Sequence, residues 1–379
     1  MELRDEWTWE RARAFLPLDL DAAARESGLL RRLRGTDSAE GLVRLLLMCA
    51  LPKASLAQAA AWGRETGLSR MGASALFFRL RDAGPLMELL LASALSHAAS
   101  APARSFAGRR LLALDGTCLC GPGSKGVDLR VHALYDLGSC AARRLEATGP
   151  GEGEGLARHA PFLGPGDLVL ADRGYGRAGG LLAALRTGAS VLARFEFSHL
   201  RLLDARTGGR LSPGEAAGRL PARGTLDLAV LLPGWEAPLR AIGVRGDSGE
   251  PLWLLTDLPA GDLAAGEARS LYGLRWQVEL FFKRLKSLLD LDEMPTRDGP
   301  TARPWALAKL VLAALAALLA DGRFPPCGAA GAVGVEAVPQ GRVARDARAA
   351  GVRRRRRRRS PATPRDQARA APATHAPGA

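Results

Sequence analysis

Four residues in the last third of the chain have types and spacing suited to chemistry on phosphate groups. Tyr272, Arg275, Glu279 and Lys286 are separated by three, four and seven positions. On an α-helix this spacing places them within about 60° of one another, as one polar stripe. A carboxylate between cations and a hydroxyl suits a metal ligand set among groups that bind phosphates. On spacing alone, a surface helix stabilised by an Arg275–Glu279 ion pair is the favoured interpretation.

Two aspartates upstream change that balance. Asp115 and Asp172 each follow a short apolar run that predicts a buried strand, 111–114 and 168–171. Ligand sites in open α/β sheets gather at the carboxyl ends of strands, so both aspartates and Glu279 are expected to converge. Three carboxylates suit two divalent cations that drive in-line displacement at phosphorus. Mg²⁺ fits best, with Mn²⁺ as an alternative ion. Taken singly, each aspartate also fits a turn residue.

The elements that must position these carboxylates follow a definite order. Residues 105–199 predict three strands, a helix, a strand, a helix and a strand, which is the order of a ribonuclease-H-like domain. The first of these strands is expected to end in a turn at Asp115. Residues 200–258 alternate in hydropathy between Gly and Pro turns and predict a β-rich insertion. A long helix from about 264 to 291 is predicted within the segment 259–322, which completes the core.

Residues 1–100 predict an all-helical N-terminal region. Ser38, Ser55 and Ser69 each precede a helical pattern and are candidate N-caps. Two short helices joined near Gly67 suggest a helix-turn-helix that binds DNA. The alternative is a plain helical bundle whose arginines form a solvated face. The predicted fold class is therefore α/β, a mixed sheet with a β-rich insertion, preceded by this helical region.

The charge of the chain points to a polyanionic partner. The formal net charge is +14, and a basic excess of this size favours nucleic acid. Most of it lies in residues 323–379, where 13 Arg less three acidic residues give +10. This segment is rich in Ala, Arg, Pro and Gly and is predicted to be a disordered basic tail. It is interpreted either as the product of a frameshift or as a basic arm that attracts DNA.

The remaining composition indicates a cytoplasmic, nucleoid-associated protein with no membrane segment. The five cysteines have no framework spacing, which fits a reducing compartment. The acidic and aromatic N-terminus is not that of a signal peptide. The apolar run 305–320 is short, Ala-rich and contains Lys309, so we interpret it as a core helix.

The motifs resemble those of one family. Tyr272, Arg275, Glu279 and Lys286 match without a gap the Y-x2-R-x3-E-x6-K signature of insertion-sequence-4-type DDE transposases. The segments 115–117 (Asp-Gly-Thr) and 172–175 (Asp-Arg-Gly-Tyr) resemble those around the first and second catalytic aspartates of that family. The similarity extends from about residue 55 to residue 319.

This resemblance implies a ribonuclease-H-like core and a catalytic, metal-binding triad of Asp115, Asp172 and Glu279. It also implies that the tyrosine, the arginine and the lysine of the signature hold backbone phosphates near the transposon end. Trp276 is expected either to stack on a displaced base or to pack at the edge of the core. The complete DNA-binding set comprises Tyr272, Arg275, Trp276, Lys283 and Lys286.

The expected function is metal-dependent DNA cleavage and strand transfer at the ends of an insertion sequence. The expected partners are double-stranded DNA at terminal inverted repeats, target DNA and a second copy of the chain. Several members of this family pass through a hairpinned end. The alternatives are a noncatalytic transposition inhibitor or decayed, frameshifted copy, and a nuclease that hydrolyses without strand transfer.

Overall fold

The fold combines a helical N-terminal region with one mixed sheet. A computed structural model describes residues 9–30, 35–98, 105–153, 155–245 and 250–320. Within these residues, helices cover both faces of a ten-stranded sheet. The predicted fold class, a mixed α/β sheet preceded by a helical region, is confirmed. The tail predicted for 323–379 lies outside the described residues.

The N-terminal region is helical, as predicted. Ser38 and Ser55 are confirmed as N-caps: the Ser38 hydroxyl accepts from the N–H of Gly41, and Ser55 forms a reciprocal capping box with Gln58. The apolar sides of these helices share one core. Their bounds are α1 (Trp9–Arg13), α2 (Leu20–Glu26), α3 (Ala39–Cys49), α4 (Leu56–Glu65), α5 (Ala73–Arg81) and α6 (Gly84–Ala98).

The cap predicted at Ser69 is wrong. Helix α5 starts after Gly72. The Ser69 hydroxyl instead donates to the carbonyl oxygen of Gly35 at 2.5 Å and accepts from the N–H of Met71 at 3.0 Å. The connection between α4 and α5 therefore covers 66–72, which is longer than the turn of a helix-turn-helix. The packing of α4 on α3 and α5 fits the bundle interpretation.

The sheet is continuous from the predicted core into the predicted insertion. Its order is β4-β3-β2-β5-β6-β10-β9-β8-β7, with β1 paired to β2. Strands β2, β5 and β6 are parallel, whereas β10 pairs with β6 in the antiparallel direction. The strand bounds are β1 (Ser105–Phe106), β2 (Arg109–Leu119), β3 (Leu129–Asp136), β4 (Ala141–Thr148), β5 (Asp167–Ala171), β6 (Ser190–Arg194), β7 (Leu203–Asp204), β8 (Thr225–Leu231), β9 (Leu239–Arg245) and β10 (Pro251–Thr256).

The two faces of this sheet pack on different layers. We call the front face the one covered by α9 (Ala265–Gly273), α10 (Trp276–Leu289), α11 (Gly299–Leu319) and the N-terminal helices. The back face is covered by α7 (Ala178–Arg186), α8 (Pro213–Arg219) and two 3₁₀ turns (Leu156–Arg158 and Ala160–Phe162). Because side chains alternate along a strand, Ala113 of β2 faces front while Leu112 and Leu114 face back.

The single helix predicted from 264 to 291 is wrong, because the chain forms α9 and α10 with a break between them. Around the break, the N–H groups of Leu274, Arg275 and Val278 bond to carbonyls three residues earlier. Such bonds belong to a tighter, 3₁₀-type turn. Gly273, at the end of α9, has weak helix propensity. The break separates Tyr272, in α9, from Glu279, in α10.

Helix α11 lies at the centre of the front layer. Among the described residues it is the helix long and apolar enough to span a membrane, yet 67 % of its apolar window is buried inside the protein. It packs on α3, α5, α6, α10 and β4. Its apolar surface is therefore covered by protein, in agreement with the predicted core helix.

Candidate active site

Asp115 and Asp172 lie side by side where the parallel pairing of two strands ends. The parallel pairing of β2 and β5 ends at Leu114 and Ala171, so the two aspartates are the next residues on neighbouring strands. The turn predicted at Asp115 is wrong, because β2 continues to Leu119 in antiparallel pairing with β3. Asp115 is thus held inside a strand, which fixes its backbone more firmly than a turn would.

Asp172 starts a tight turn that places its side chain on the front face. The N–H of Tyr175 donates to the Asp172 carbonyl oxygen at 2.9 Å. Gly176 then passes against β6, where a Cβ atom would lie 2.2 Å from the carbonyl oxygen of Arg194. A side chain at position 176 therefore cannot be accommodated without moving backbone. This close approach holds the turn against the sheet.

The helix break brings the stripe residues to the aspartates. Tyr272 lies in α9, and its hydroxyl donates to Asp172 Oδ1 at 2.9 Å. Glu279 lies in the first turn of α10, and Arg275 lies at the break between the two helices. The predicted stripe is thus divided between two helices, and only part of it faces the carboxylates.

Arg275 lies among all three carboxylates. Its guanidinium is 2.5 Å from Glu279 Oε1, 3.8 Å from Asp172 Oδ2 and 3.9 Å from Asp115 Oδ2. The Arg275 side chain is 11 % exposed. Burial disfavours its charged form, but Tyr272 and the carboxylates outweigh burial and raise the pKa of Arg275 above its ordinary value. The guanidinium therefore stays charged and compensates the acidic cluster.

The two aspartates differ in their ionisation. Burial raises the pKa of Asp115 to about 6, although the Gly116 N–H and Arg275 partly oppose this effect. Burial acts in the same direction on Asp172, but the N–H of Arg173, the Arg275 guanidinium and the Tyr272 hydroxyl together bring its pKa below the ordinary value. Asp172 is thus the more stable anion of the pair.

The donor chemistry of this cluster fits a hard divalent cation. Asp115, Asp172 and Glu279 offer carboxylate oxygens from three separate elements, with side chains 21 %, 35 % and 38 % exposed. Mg²⁺ prefers such ligands and completes its shell with water and phosphate oxygens. Within the described part of the chain, no three His, Cys, Asp or Glu side chains are arranged so that they could hold a metal ion together. The carboxylates are spread around the guanidinium of Arg275.

The other predicted DNA-binding residues lie along α10. Lys283 is exposed, and its Nζ lies 4.4 Å from the centre of the Trp276 ring. Trp276 is half-buried with its Nε1 inside the protein, which fits the packed edge more than an open stacking platform. Lys286 is half-buried and lies seven residues beyond Glu279, about 10 Å along the helix. The helix thus carries two lysines that lead away from the carboxylates.

One cation beside the site was not among the residues predicted from the sequence. Arg194 ends β6, and its Nη1 lies 3.8 Å from Asp172 Oδ1. Nearby, Arg173 pairs with Glu196 at 2.5 Å. The sequence pattern could have identified Arg194, because this residue comes at the end of a third short apolar run, just as Asp115 and Asp172 come after the first two.

A neutral polar cluster lies on the back face behind the Asp172 turn. His132, His159 and Tyr175 are almost fully buried, with ring centres 6.2 Å and 6.3 Å apart in that order. His132 Nε2 lies 3.0 Å from the Thr148 hydroxyl. Burial lowers the pKa of His132 to about 4 and that of His159 to about 3. Both imidazoles are therefore neutral near pH 7.

The sheet has the strand order of a ribonuclease-H-like domain. Asp115 and Asp172 lie where two of its parallel strands cease to pair, and Glu279 lies on the adjacent helix α10. This arrangement is typical of polynucleotidyl transferases. Residues 106–315 match the family described as "Transposase DDE domain". The chain belongs to this family of DDE transposases.

Bacterial relatives agree with this assignment. The chain is 30 % identical over 360 residues to a protein named as the transposase InsL for insertion sequence element IS186A of Escherichia coli K12. That alignment covers 85 % of this chain and 95 % of the relative. The transposase for insertion sequence element IS421 of Escherichia coli is also 30 % identical, over 361 residues and with the same coverage of both chains.

Proposed function

We propose that this transposase cleaves DNA at the ends of an insertion sequence and joins the freed 3′-hydroxyl to target DNA. The observation that carries the proposal is the convergence of Asp115, Asp172 and Glu279 around one guanidinium on the front face. Transesterification conserves the number of phosphodiester bonds, so joining needs no external energy source.

We assign to these three carboxylates the binding of two Mg²⁺ ions, with Mn²⁺ as an alternative. Bound cations of this kind supply Lewis-acid stabilisation of both the attacking and the leaving oxygen. Tyr272 orients Asp172 through its hydroxyl, and Asp115 must lose its proton to act as a ligand. These residues therefore prepare the ligand set and fix its geometry.

Arg275 has two tasks in this proposal. In the protein alone, its guanidinium compensates the three carboxylates. With cations held by the carboxylates, the planar guanidinium would be free to hold a backbone phosphate, for which its donor geometry is suited. Lys283 and Lys286 would continue this contact along α10, with Trp276 beside them. Tyr272 also belongs to this DNA-binding set.

The helical region 1–100 is proposed to bind the DNA flanking the cleavage point. A groove of about 1010 Å³ lies between the α5–α6 junction and the start of α11, and three arginines line it: Arg79, Arg81 and Arg303. Phe78 is exposed beside it, with Arg81 over its ring. Guanidinium groups interleaved with an aromatic ring suit a sugar–phosphate strand.

We also propose the partners of this transposase and its location in the cell. The substrate ends are terminal inverted repeats in double-stranded DNA, and two copies of the chain act together on a pair of ends. The protein is assigned to the bacterial cytoplasm in association with the nucleoid. The basic segment 323–379 would add nonspecific attraction to DNA.

The test is a Mg²⁺-dependent reaction on duplex DNA carrying the element's ends. Asp115→Ala, Asp172→Ala and Glu279→Ala should each lower cleavage by on the order of 10³-fold or more while DNA binding persists. Glu196→Gln is the matched control, because Glu196 is an acidic residue near Asp172 that pairs with Arg173 instead. Cleavage without joined products would identify a nuclease. Binding without cleavage by the unaltered chain would identify a noncatalytic inhibitor or a decayed copy.

A further inference from the structure

Lys309 is a lysine buried in the middle of the apolar helix α11. Its side chain is only 2 % exposed, and its neighbours Ala308 and Leu310 are fully buried. Burying an ammonium group is costly unless it gains specific partners. Lysine is also scarce here, with five in a chain that holds 53 basic residues. A buried lysine in this setting therefore requires a reason beyond solubility.

The partners of Lys309 lie at the far end of α10. Its Nζ donates to the carbonyl oxygen of Leu289, the last residue of that helix. Helix C-terminal carbonyls have no partner within the helix and favour a nearby cation. The Nζ also lies 4.4 Å from the centre of the Trp305 ring. The ammonium thus caps α10 from a neighbouring helix while an aromatic face shields it.

The chain leaves α10 sharply at this contact. Asp290 has a φ of 49°, in the left-handed region, and its N–H bonds back to the Leu285 carbonyl. Asp290, Asp292 and Glu293 are the carboxylates that act on the ammonium. Burial nevertheless lowers the pKa of Lys309 to about 8, since these carboxylates offset it only in part.

Helix α10 is therefore held at both ends. Arg275, at its start, contacts the carboxylate cluster, and Lys309 holds its last carbonyl. Glu279 lies in the first turn and Lys286 in the last turn of the same helix. A rotation or slide at the C-terminal end would move both side chains, because backbone hydrogen bonds link each turn of the helix to the next.

We infer that Lys309 is a positioning residue for the transposase reaction: by capping α10 at Leu289, it sets the orientation of Glu279 and of the lysines that face DNA. The inference rests on the proposed function of Glu279. Lys309 itself lies too deep in the helical layer to contact DNA.

The decisive variant is Lys309→Met, which keeps the apolar stem and removes the ammonium. We expect kcat for end cleavage to fall by roughly ten- to a hundredfold, as for a small misplacement of a catalytic group, with KM for end DNA changed less than about twofold. Lys309→Arg should restore part of the rate because it retains a donor and a charge. Leu310→Ala is the control, since it removes buried volume from the same helix without removing a charge.

The pH profile separates positioning from simple stabilisation. As pH rises through about 8, the folded protein releases the Lys309 proton, whereas the unfolded chain keeps it to the ordinary value of 10.5. Folding should therefore become more favourable over this interval. Cleavage should fall over the same interval as the cap loses its charge. In Lys309→Met, the rate should be lower throughout and should lose this alkaline decline.

Two outcomes would overturn the inference. One is wild-type cleavage and a wild-type pH profile in Lys309→Met. The other is an equal loss of kcat in Leu310→Ala at a matched fall in melting temperature, which would make Lys309 merely structural. Glu279→Ala is measured alongside. If that variant cleaves normally, the proposed function of Glu279 fails, whereas an inactive Glu279→Ala beside a normal Lys309→Met rejects only the positioning role.

Discussion

The front and back faces of the central strands differ in the polar side chains that they carry. On the front face, acidic residues and Arg275 keep their charges at a partly exposed edge of the sheet. On the back face, His132 and His159 are buried and neutral. The carboxylates of the front face thus share one guanidinium as their counter-charge. The back face pairs its charged Glu146 with two arginines beside the neutral imidazoles.

The largest effect, a loss of DNA cleavage, is expected from a substitution on the front face. Arg275→Ala leaves three carboxylates without their shared counter-charge and removes the phosphate contact that we propose for this residue. End cleavage should fall on the order of 10²-fold, comparable to the loss of one preorganised donor in an active site. Added Mg²⁺ should raise the melting temperature of this variant more than that of the wild type. Arg275→Lys should recover only part of the rate, because it lacks the planar fork.

This front-face prediction is checked by single-turnover cleavage and by melting curves with and without Mg²⁺. Wild-type cleavage by Arg275→Ala would mean that the guanidinium only stabilises the free protein. An equal response of both proteins to Mg²⁺ would contradict the view that the cation and the guanidinium compensate the same charges.

An intermediate effect is expected from a substitution on the back face. It concerns the folding stability of the protein at acidic pH. The folded protein binds protons at His132 and His159 only near pH 4 and pH 3, whereas the unfolded chain binds them near 6.5. Stability should therefore be lost as pH falls below 6.5, by up to about 1.4 kcal/mol per pH unit for each histidine. His159→Phe should flatten this loss and leave cleavage at pH 7 unchanged.

Urea unfolding at pH 7, 6 and 5 measures this difference directly. The exposed His199 offers a matched control, since His199→Phe should leave the slope as it is in the wild type. A wild-type slope in His159→Phe would show that its imidazole is not the neutral group of the back face. A large loss of cleavage at pH 7 would show that the two faces are not independent.

The smallest effect, a modest loss of DNA affinity, is expected from a substitution on α10 away from the carboxylates. Lys283→Ala should weaken DNA binding roughly two- to fivefold, the size of one exposed charge contact. The slope of binding against salt should fall by about 0.9 on duplex DNA. The melting temperature should not change. Lys125→Ala, in the exposed loop after β2, is the control. An unchanged salt slope in Lys283→Ala would remove this residue from the DNA-binding set.

The sequence predicts the strands and the carboxylates better than it predicts the junctions between elements. Short apolar runs identify β2, β5 and β6 because each is buried on both sides. The same runs do not reveal that β2 continues past Asp115, since the antiparallel pairing with β3 depends on residues elsewhere in the chain. The helix break at Leu274 is also hidden, because the polar stripe has helical spacing across it.

Two other features depend on tertiary contacts that no local pattern contains. Ser69 looks like an N-cap, yet its hydroxyl bonds to Gly35, which is 34 residues away. The role of Arg275 as a shared counter-charge requires β2, β5 and α10 to meet. Spacing alone gives only its pairing with Glu279, which the structure contains at 2.5 Å.

The continuity of the sheet has a consequence for shortening this chain. Strand β10 forms a backbone ladder with β6 through Leu254, Leu255 and Thr256. Excising residues 200–258 would leave β6 as an open edge with unpaired amides and the apolar stretch 191–193 uncovered. Open, apolar edges recruit strands from other molecules. We therefore expect a minimal protein lacking the insertion to aggregate unless a proline or a second charged residue, in addition to Arg194, is placed on β6. The insertion thus protects the edge of the sheet that carries the candidate site.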